Sequence, residues 1–306
     1  MTLSAHDTLT PAEFYAELTT RNRGFVSPQT QAALARATIL VAGCGSTGGA
    51  AVEPLVRLGA QHFLLAEPGT YELNNLNRQH ASVSEIGRNK ADVCAERVHA
   101  VNPWATTEVF DRGITDDNAD DLVRRSTVVI DGVDVTERSG WLAKLRLHEA
   151  AAAIGRPVLT GYDMAGTQYV RFYDYAPGSR PFDGALTRAQ VESATTWELL
   201  RRAVPLRFVP VAMLEQARRQ VAATSTGAEQ SDEGLPQLVH ASWLFGSMSA
   251  RMTLNVLEGT GVRKHSVVDA DAVVSRGTTR LRRSARKPVV LALSLRDLAR
   301  LKRQAA

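Results

Sequence analysis

Short apolar runs alternate with helix-like segments through the first half of the chain. The runs are rich in β-branched and other apolar residues, as buried strands are, and they lie near positions 38–42, 63–65, 107–110, 127–130 and 157–162. Between them, apolar residues recur at the three- and four-residue spacing of amphipathic helices. Strands that alternate with helices in this way predict an α/β fold with a mostly parallel sheet flanked by helices.

A glycine-rich turn follows the first predicted strand. Gly43, Gly45 and Gly48 lie between that strand and a helix-like segment, and the next apolar run ends at Glu67. The order of strand, glycine turn, helix, strand and acid is that of a Rossmann-like nucleotide site, in which the helix N-terminus faces phosphate and the acid faces a ribose hydroxyl. The alternative is a turn that only packs a helix on a strand.

Polar and charged side chains after Glu67 suggest the wall of a site. The loop is rich in amides and carries Asn74, Asn75, Arg78 and Gln79. Lys90 then falls in the first turn of the next predicted helix, where the helix dipole disfavours a cation. An anion held nearby would explain a lysine at that position.

Two acids follow the buried strand over 127–130. Asp131 and Asp134 come where open α/β sheets bind ligands, at the carboxyl end of a strand. Two carboxylates there can hold Mg²⁺. Asp131 has an alternative role as a cap of the strand end.

The alternation of strands and helices stops near residue 176. Short helical segments broken by prolines, a polar stretch (224–234) and an apolar helix (238–259) follow. The expected parts are an N-terminal helical arm (1–30), a nucleotide-binding core (31–175), a helical insertion or lid with a flexible linker (176–237), a C-terminal part of the core (238–275) and a basic tail (276–306).

Composition narrows the class of protein. The 306 residues are 44% hydrophobic and 22% charged, as in ordinary globular proteins. No apolar run reaches the ~18–20 residues of a membrane span, and the first residues lack the features of a signal peptide. The two cysteines, Cys44 and Cys94, form neither a disulfide framework nor a Cys-x-x-Cys zinc motif. We expect a cytoplasmic protein without membrane contact.

These features together resemble the ThiF/MoeB/HesA family, which includes the ubiquitin-activating enzymes. The resemblance covers about 21–174 and the helix over 238–259. Its most specific part is the segment 75–79, Asn-Leu-Asn-Arg-Gln, which is similar to the family's S-N-L-x-R-Q. The glycine turn, the acid, this segment, a lysine after Ile-Gly and a D-x-x-D motif follow in the family's order.

The resemblance implies ATP-dependent adenylation of a carboxylate with release of pyrophosphate. Arg78, Lys90, Asp134 and Arg21 would be catalytic, with Asp134 holding Mg²⁺ and Arg21 reaching into the partner subunit's site of a homodimer. Glu67 would bind ribose where the family usually has Asp. The residues implied around ATP are Gly43, Gly45, Gly48, Glu67, Asn74, Asn75, Arg78, Gln79, Lys90, Asp131 and Asp134.

The chain departs from many relatives because neither cysteine matches a transfer nucleophile. We therefore expect the acyl adenylate of a peptide, a small-protein C-terminus or a small acid to pass directly to an acceptor. The alternatives are a tRNA-modifying dehydratase of the same family, a non-catalytic nucleotide-binding scaffold and an NAD-dependent oxidoreductase. The basic tail has ten Arg and Lys residues against Asp297 alone, and it either contacts RNA or only favours solubility.

Overall fold

The computed structural model describes residues 9–226 and 236–304, so most of the predicted linker lies outside the described residues. Within them, seven strands form one sheet: β1 Thr38–Ala42, β2 His62–Ala66, β3 Thr106–Phe110, β4 Val128–Asp131, β5 Val158–Met164, β6 Thr167–Tyr173 and β7 His265–Asp269. Their order is β3-β2-β1-β4-β5-β6-β7. The first five strands pair in parallel, and β6 and β7 add antiparallel pairs. The predicted α/β fold is confirmed.

Helices connect and cover the strands. Within the described residues they are α1 Pro11–Leu18, α2 Pro28–Arg36, α3 Gly48–Leu58, α4 Lys90–Val101, α5 Ala119–Arg125, α6 Arg138–Ile154, α7 Arg188–Ser193, α8 Thr196–Ala203, α9 Val211–Thr226, α10 Val239–Glu258, α11 Ala270–Val274 and α12 Gly277–Gln304. Alternate residues of β1 supply the two cores: Ile39 packs on the side of α3 and α10, and Leu40 on the side of α5 and α6.

The register of the sheet aligns the carboxyl ends of the central strands. Ala42 at the end of β1 pairs with Ala66 of β2 on one side and with Asp131 of β4 on the other. Asp131 in turn pairs with Thr160, but β5 continues to Met164. The β5–β6 hairpin therefore extends past the common edge by about 13 Å at the rise of a strand. It forms a wall beside the residues that follow β1, β2 and β4.

The segment predicted as an insertion contributes to the core. Phe182, Leu186, Val191 and Leu199 are buried in the hydrophobic cluster on the α6 side of the sheet. The burial of these apolar side chains stabilises the position of the segment against the sheet. Its role as a lid stays a prediction.

The predicted basic tail is a helix as far as the structure describes it. α12 packs on α9, with Val290 and Ser294 buried. Arg286 of α12 also forms an ion pair with Glu215 of α9, with a nitrogen–oxygen distance of 2.7 Å. The tail is thus ordered against the helix that precedes the polar linker.

The N-terminal arm is tied to the end of α3. Tyr15 donates a hydrogen bond from its hydroxyl to the carbonyl of Gly59 (3.0 Å), and Asn22 donates from its amide to the carbonyl of Leu58 (2.9 Å). These bonds satisfy carbonyls at a helix C-terminus that have no partner inside the helix. The arm therefore has a fixed place beside the core.

Candidate functional site

The glycine turn brings three backbone segments into close contact. Gly43 has a φ of +83°, and a Cβ on it would lie 2.4 Å from the carbonyl oxygen of Gly132. A Cβ on Gly48 would lie 1.9 Å from the carbonyl oxygen of Gly43. Both positions therefore require glycine. A Cβ on Gly45 would meet only the side chain of Gln79, at 3.8 Å, so Gly45 leaves its open face toward Gln79.

Glu67 braces this turn from the end of β2. Its Oε2 accepts the N–H of Cys44 (2.8 Å), and its Oε1 accepts the N–H of Gly69 (2.7 Å). Each carboxylate oxygen retains acceptor capacity after one such bond, which suits a hydroxyl donor. The position agrees with the predicted ribose contact, which stays a prediction.

Lys90 is the first residue of α4 and lies close to the same corner. Its Nζ is 5.9 Å from the centroid of the Tyr71 ring, and it makes no ion pair within the described residues. Asn89 caps α4 by accepting the N–H of Ala91 (2.8 Å). A half-buried ammonium without an anion, at a helix N-terminus, is suited to bind phosphate.

Arg78 is held in place by neutral acceptors. Its Nε donates to Oε1 of Gln237 (2.6 Å), and its Nη1 donates to the carbonyl of Asn74 (2.9 Å) and to Oδ1 of Asn77 (2.8 Å). In the part of the chain that the structure describes, no carboxylate pairs with it. The guanidinium charge is therefore fixed in position and available to an anion. The buried Asn75 accepts the N–H of Glu72 (3.2 Å) and holds the loop.

Asp131 lies inside the fold and is fully hydrogen-bonded. Its Oδ2 accepts from Lys144 Nζ (2.7 Å), His148 Nε2 (2.9 Å) and Thr160 Oγ1 (2.9 Å), and its Oδ1 accepts the N–H of Val133 (3.2 Å). Burial alone would raise the pKa of Asp131, but Lys144 and His148 hold it well below its usual range. These contacts favour the structural alternative for Asp131.

The buried network extends from Asp131 to the segment that follows β6. His148 accepts from the hydroxyl of Tyr175 at Nδ1 (2.7 Å), and that hydroxyl accepts the N–H of Phe182 (2.8 Å). Burial lowers the pKa of His148, which is consistent with a neutral ring that donates from Nε2. The network fixes the loop that carries Asp134.

Asp134 is exposed on the loop after β4, where its Oδ1 accepts the N–H of Thr136 (2.9 Å). Within the described ranges, no three His, Cys, Asp or Glu side chains come together to hold a metal. Mg²⁺ in nucleotide sites takes one or two carboxylates and completes its shell with phosphate oxygens and water. A single exposed carboxylate on the loop beside the glycine turn fits that donor set.

Three residues of this region could not be identified from local sequence patterns. Gln237 reaches Arg78 across 159 residues of sequence. Lys144 forms a buried ion pair with Asp131, which the position of Lys144 in its predicted helix did not indicate. Asp163, the penultimate residue of β5, is 6% exposed. The hydroxyls of Ser46 and Thr47 lie close enough to lower its pKa, but neither carboxylate oxygen accepts a hydrogen bond of good geometry among the described residues. Arg21 is exposed in a short turn of the arm, and its role across a subunit interface stays a prediction.

Comparison with protein families identifies the fold and its glycine turn. The model of the ThiF family matches residues 19–190, more than half of the 306 residues. The chain belongs to the ThiF family. The resemblance drawn from the turn and the segment 75–79 is confirmed, and the lack of a catalytic cysteine or zinc site stays a prediction.

Curated members of the ThiF family and their relatives match the chain in part. The Uncharacterized protein MT1398 of Mycobacterium tuberculosis is 28% identical over 258 residues, which are 84% of this chain and 35% of that protein. The sulfur carrier protein adenylyltransferase of Thermus thermophilus is 30% identical over 137 residues, which are 44% of this chain and 49% of that protein. The chain spans about a third to a half of the length of these relatives.

A solved structure of similar architecture contains a nucleotide. The E. coli tRNA N6-threonylcarbamoyladenosine dehydratase in complex with ATP matches with a TM-score of 0.57 and 20% identity, over 82% of this chain and 98% of that one. This likeness shows that the two chains share a fold. None of the described helices combines the length and apolarity that a membrane crossing requires.

The buried ion pair at the sheet edge predicts a large stability effect. Lys144→Ala leaves the Asp131 carboxylate buried without its cation, so the free energy of unfolding at pH 7 should fall by about 3–5 kcal/mol. Glu149→Ala is the matched control, because Glu149 lies on the same helix but pairs with Arg188 at the surface. It should cost under ~1 kcal/mol. Urea unfolding measures both variants, and equal losses would contradict the assignment.

The unpartnered carboxylate predicts a pH-dependent stability. Burial raises the pKa of Asp163 to about 6, and Ser46, Thr47 and Arg78 offset that rise only in part. The folded protein therefore binds this proton more tightly than the unfolded chain does. The stabilisation is complete below about pH 4, the ordinary range of Asp, and is lost as the pH rises through 6.

Asp163→Asn should remove this dependence. Between pH 4 and pH 8 the wild type should lose about 3 kcal/mol of unfolding free energy relative to the variant. The pKa of Asp163 is raised by about two units, and one unit corresponds to about 1.4 kcal/mol. Urea unfolding at several pH values measures the difference. Asp174→Asn, at an exposed position after β6, is the control and should show no such slope. Parallel curves for Asp163→Asn and the wild type would contradict the shift.

Proposed function

We propose that the chain is an ATP-dependent adenylyltransferase that activates a carboxylate as an acyl adenylate. The observation that carries the proposal is a pair of fixed cations, Arg78 and Lys90, neither of which forms an ion pair within the described residues. They lie on the loop and helix that follow Glu67, beside a glycine turn that leaves room for phosphate. Membership of the ThiF family supports the proposal.

The sheet order assigns a direction to the bound nucleotide. Glu67 follows β2, the glycine turn follows β1, and Asp134 follows β4, and these strands are neighbours in that order. A ribose at Glu67 places the phosphates over the turn at the N-terminus of α3. The acyl substrate then approaches the α-phosphorus from the side of β4 and β5.

In the proposed reaction, the main task of the protein is to stabilise negative charge. A carboxylate oxygen of the substrate attacks the α-phosphorus, the bond from that phosphorus to the bridging oxygen breaks, and pyrophosphate leaves with the electron pair. A carboxylate nucleophile has no proton to lose, so no general base is required. Arg78 and Lys90 offset the negative charge on the leaving group. Mg²⁺ held by Asp134 would supply further neutralisation of the phosphate oxygens.

We propose direct transfer from the adenylate to the acceptor. Cys44 lies within the glycine turn and Cys94 lies on α4, and both are fully buried. A buried thiol cannot meet an acyl group that enters from the β5 side. The acyl substrate is a peptide, a small-protein C-terminus or a small acid. The name of the Thermus thermophilus relative, a sulfur carrier protein adenylyltransferase, refers to a protein substrate.

Three further features stay predictions: a homodimer, RNA binding by α12 and a cytoplasmic location.

Pyrophosphate exchange tests the proposal. The chain with ATP, Mg²⁺ and a panel of carboxylates and peptides should exchange labelled pyrophosphate into ATP in the presence of its substrate. Lys90→Ala and Asp134→Ala should each lower the exchange roughly 100-fold, the range seen when a charge-stabilising group is removed. Asp117→Ala, at an exposed loop position, should not. Exchange that survives both substitutions, or calorimetry that detects no binding of ATP with Mg²⁺, would refute it.

Gln237 should act through Arg78. Gln237→Ala removes the acceptor that fixes Nε of Arg78, and hydrogen bonds to charged groups contribute about 1.5–3 kcal/mol, so the KM for ATP should rise about 10-fold or more. Gln237→Glu should also raise it, because a carboxylate would neutralise the arginine. Leu238→Ala, an exposed neighbour, is the control. Steady-state exchange rates at varied ATP provide KM and kcat, and unchanged KM values in both Gln237 variants would exclude the role.

A further inference from the structure

Unsatisfied hydrogen-bonding atoms gather beside the glycine turn, on the wall formed by the β5–β6 hairpin. Both carboxylate oxygens of Asp163, Oε1 of Gln168, Oε1 of Gln79 and Nε2 of His240 are buried without a partner among the described residues. Buried polar atoms in folded proteins nearly always have partners, so a local group of exceptions calls for an explanation.

The register of the hairpin brings two of these side chains together, and Gln79 and His240 lie on neighbouring segments. Asp163 pairs with Gln168 across β5 and β6, so their side chains lie on the same face of the sheet. Gly161, two residues earlier on that face, contacts the turn so closely that a Cβ on it would lie 2.3 Å from Cγ2 of Thr47. His240 lies over Gly166, whose Cβ position is 2.7 Å from the ring Nε2.

Nearly all of the unsatisfied atoms are acceptors. The amide orientation of Gln168 is fixed because its Nε2 donates to the carbonyl of Tyr169 (3.1 Å), which leaves Oε1 free. Arg78, the cation that acts on Asp163, directs its bonds to Gln237, Asn74 and Asn77 and forms no ion pair with Asp163. We call this group of Gln79, Asp163, Gln168 and His240 the acceptor cluster. Beyond the Ser46 and Thr47 hydroxyls near Asp163 and the more distant Arg78, the described residues provide this cluster with no donor of good geometry.

The acceptor cluster lies on the side of the sheet from which the proposed acyl substrate approaches. In the sheet order the ribose, phosphate and Asp134 positions follow β2, β1 and β4, and β5 is the next strand. Asp163 lies three residues beyond the common edge, and the turn that follows is held in a left-handed conformation at Ala165, with a φ of +52°. A two-residue hairpin turn requires such a conformation at its first position.

We propose that the acceptor cluster binds a primary ammonium group carried by the carboxylate substrate, with Asp163 as its counter-ion. The substrate class is then acids that also bear an amine: an amino acid, or a peptide with a free amine near the activated carboxyl. A primary ammonium offers three donors and one positive charge, which matches the Asp163 carboxylate together with the amide oxygens of Gln79 and Gln168. The proposal deepens the adenylation proposed above and rests on it for the identity of the substrate.

A binding experiment tests the acceptor cluster independently of enzymatic activity. Thermal unfolding at pH 8, where Asp163 is ionised, is followed in methylammonium, potassium and tetramethylammonium chloride at equal ionic strength. Methylammonium should raise the Tm of the wild type above the values in the other two salts, because binding to the folded state stabilises it. Asp163→Asn should abolish the difference and Asp174→Asn should keep it. Gln168→Leu, which removes one acceptor, should reduce it.

Pyrophosphate exchange tests the substrate class. Pairs of acids with the same carbon skeleton, with and without a primary amine, are compared at pH 8. The amine-bearing acid should be favoured roughly 10- to 100-fold in kcat/KM, the range of hydrogen bonds to a charged group. Asp163→Asn should bring that ratio toward one, and Asp174→Asn should preserve it.

The two measurements fail in different ways. Absence of exchange with every acid refutes adenylation, but the thermal experiment still decides whether the cluster binds an amine. Equal Tm values in methylammonium and tetramethylammonium refute the amine site. An equal rise in potassium would show a site for an inorganic cation and would also overturn the proposal, as would a selectivity ratio that Asp163→Asn leaves unchanged.

Discussion

The close approach of Gly43, Gly48 and Gly132 is the constraint on which the site depends. Three backbone segments, from the end of β1, the start of α3 and the loop after β4, meet with no space for a Cβ. Glu67 is fixed to this contact through the N–H of Cys44. Because each segment carries a different functional group, the relative positions of the phosphate turn, the acid and the loop of Asp134 follow from this one contact.

Local patterns in the sequence were sufficient to predict the fold and to nominate residues of the candidate site. The strands are continuous apolar runs, and the turn and the segment 75–79 are compact motifs, so both could be recognised without long-range information. The pairs Arg78–Gln237 and Asp131–Lys144 could not, since no local pattern specifies which distant side chains meet. Asp131 was predicted among the ATP-binding residues from its place at a strand end, which cannot distinguish a carboxylate facing inward from one facing the ligand.

Two buried carboxylates at the edge of the sheet, Asp131 and Asp163, differ in how far the protein compensates their charge. Asp131 has four hydrogen-bond donors, one of them a buried lysine, and its charge is fully compensated within the protein. Asp163 has none of good geometry. The first stabilises the native state and holds a loop, whereas the second costs stability when ionised. Proteins retain such costs chiefly where function requires them.

The bond between Arg78 and Gln237 has a thermodynamic consequence. Gln237 belongs to the short segment that pairs with the hairpin at Ala165, since Ala165 donates its N–H to Pro236 and Leu238 donates its N–H to Ala165. A molecule that shifted this segment would therefore alter the hydrogen bond that holds Arg78. If Arg78 binds the nucleotide as proposed, reciprocity of binding free energies would require the nucleotide to change the affinity for that molecule by the same factor. The Arg78–Gln237 bond is thus a direct side-chain link between the hairpin segment and the loop after β2.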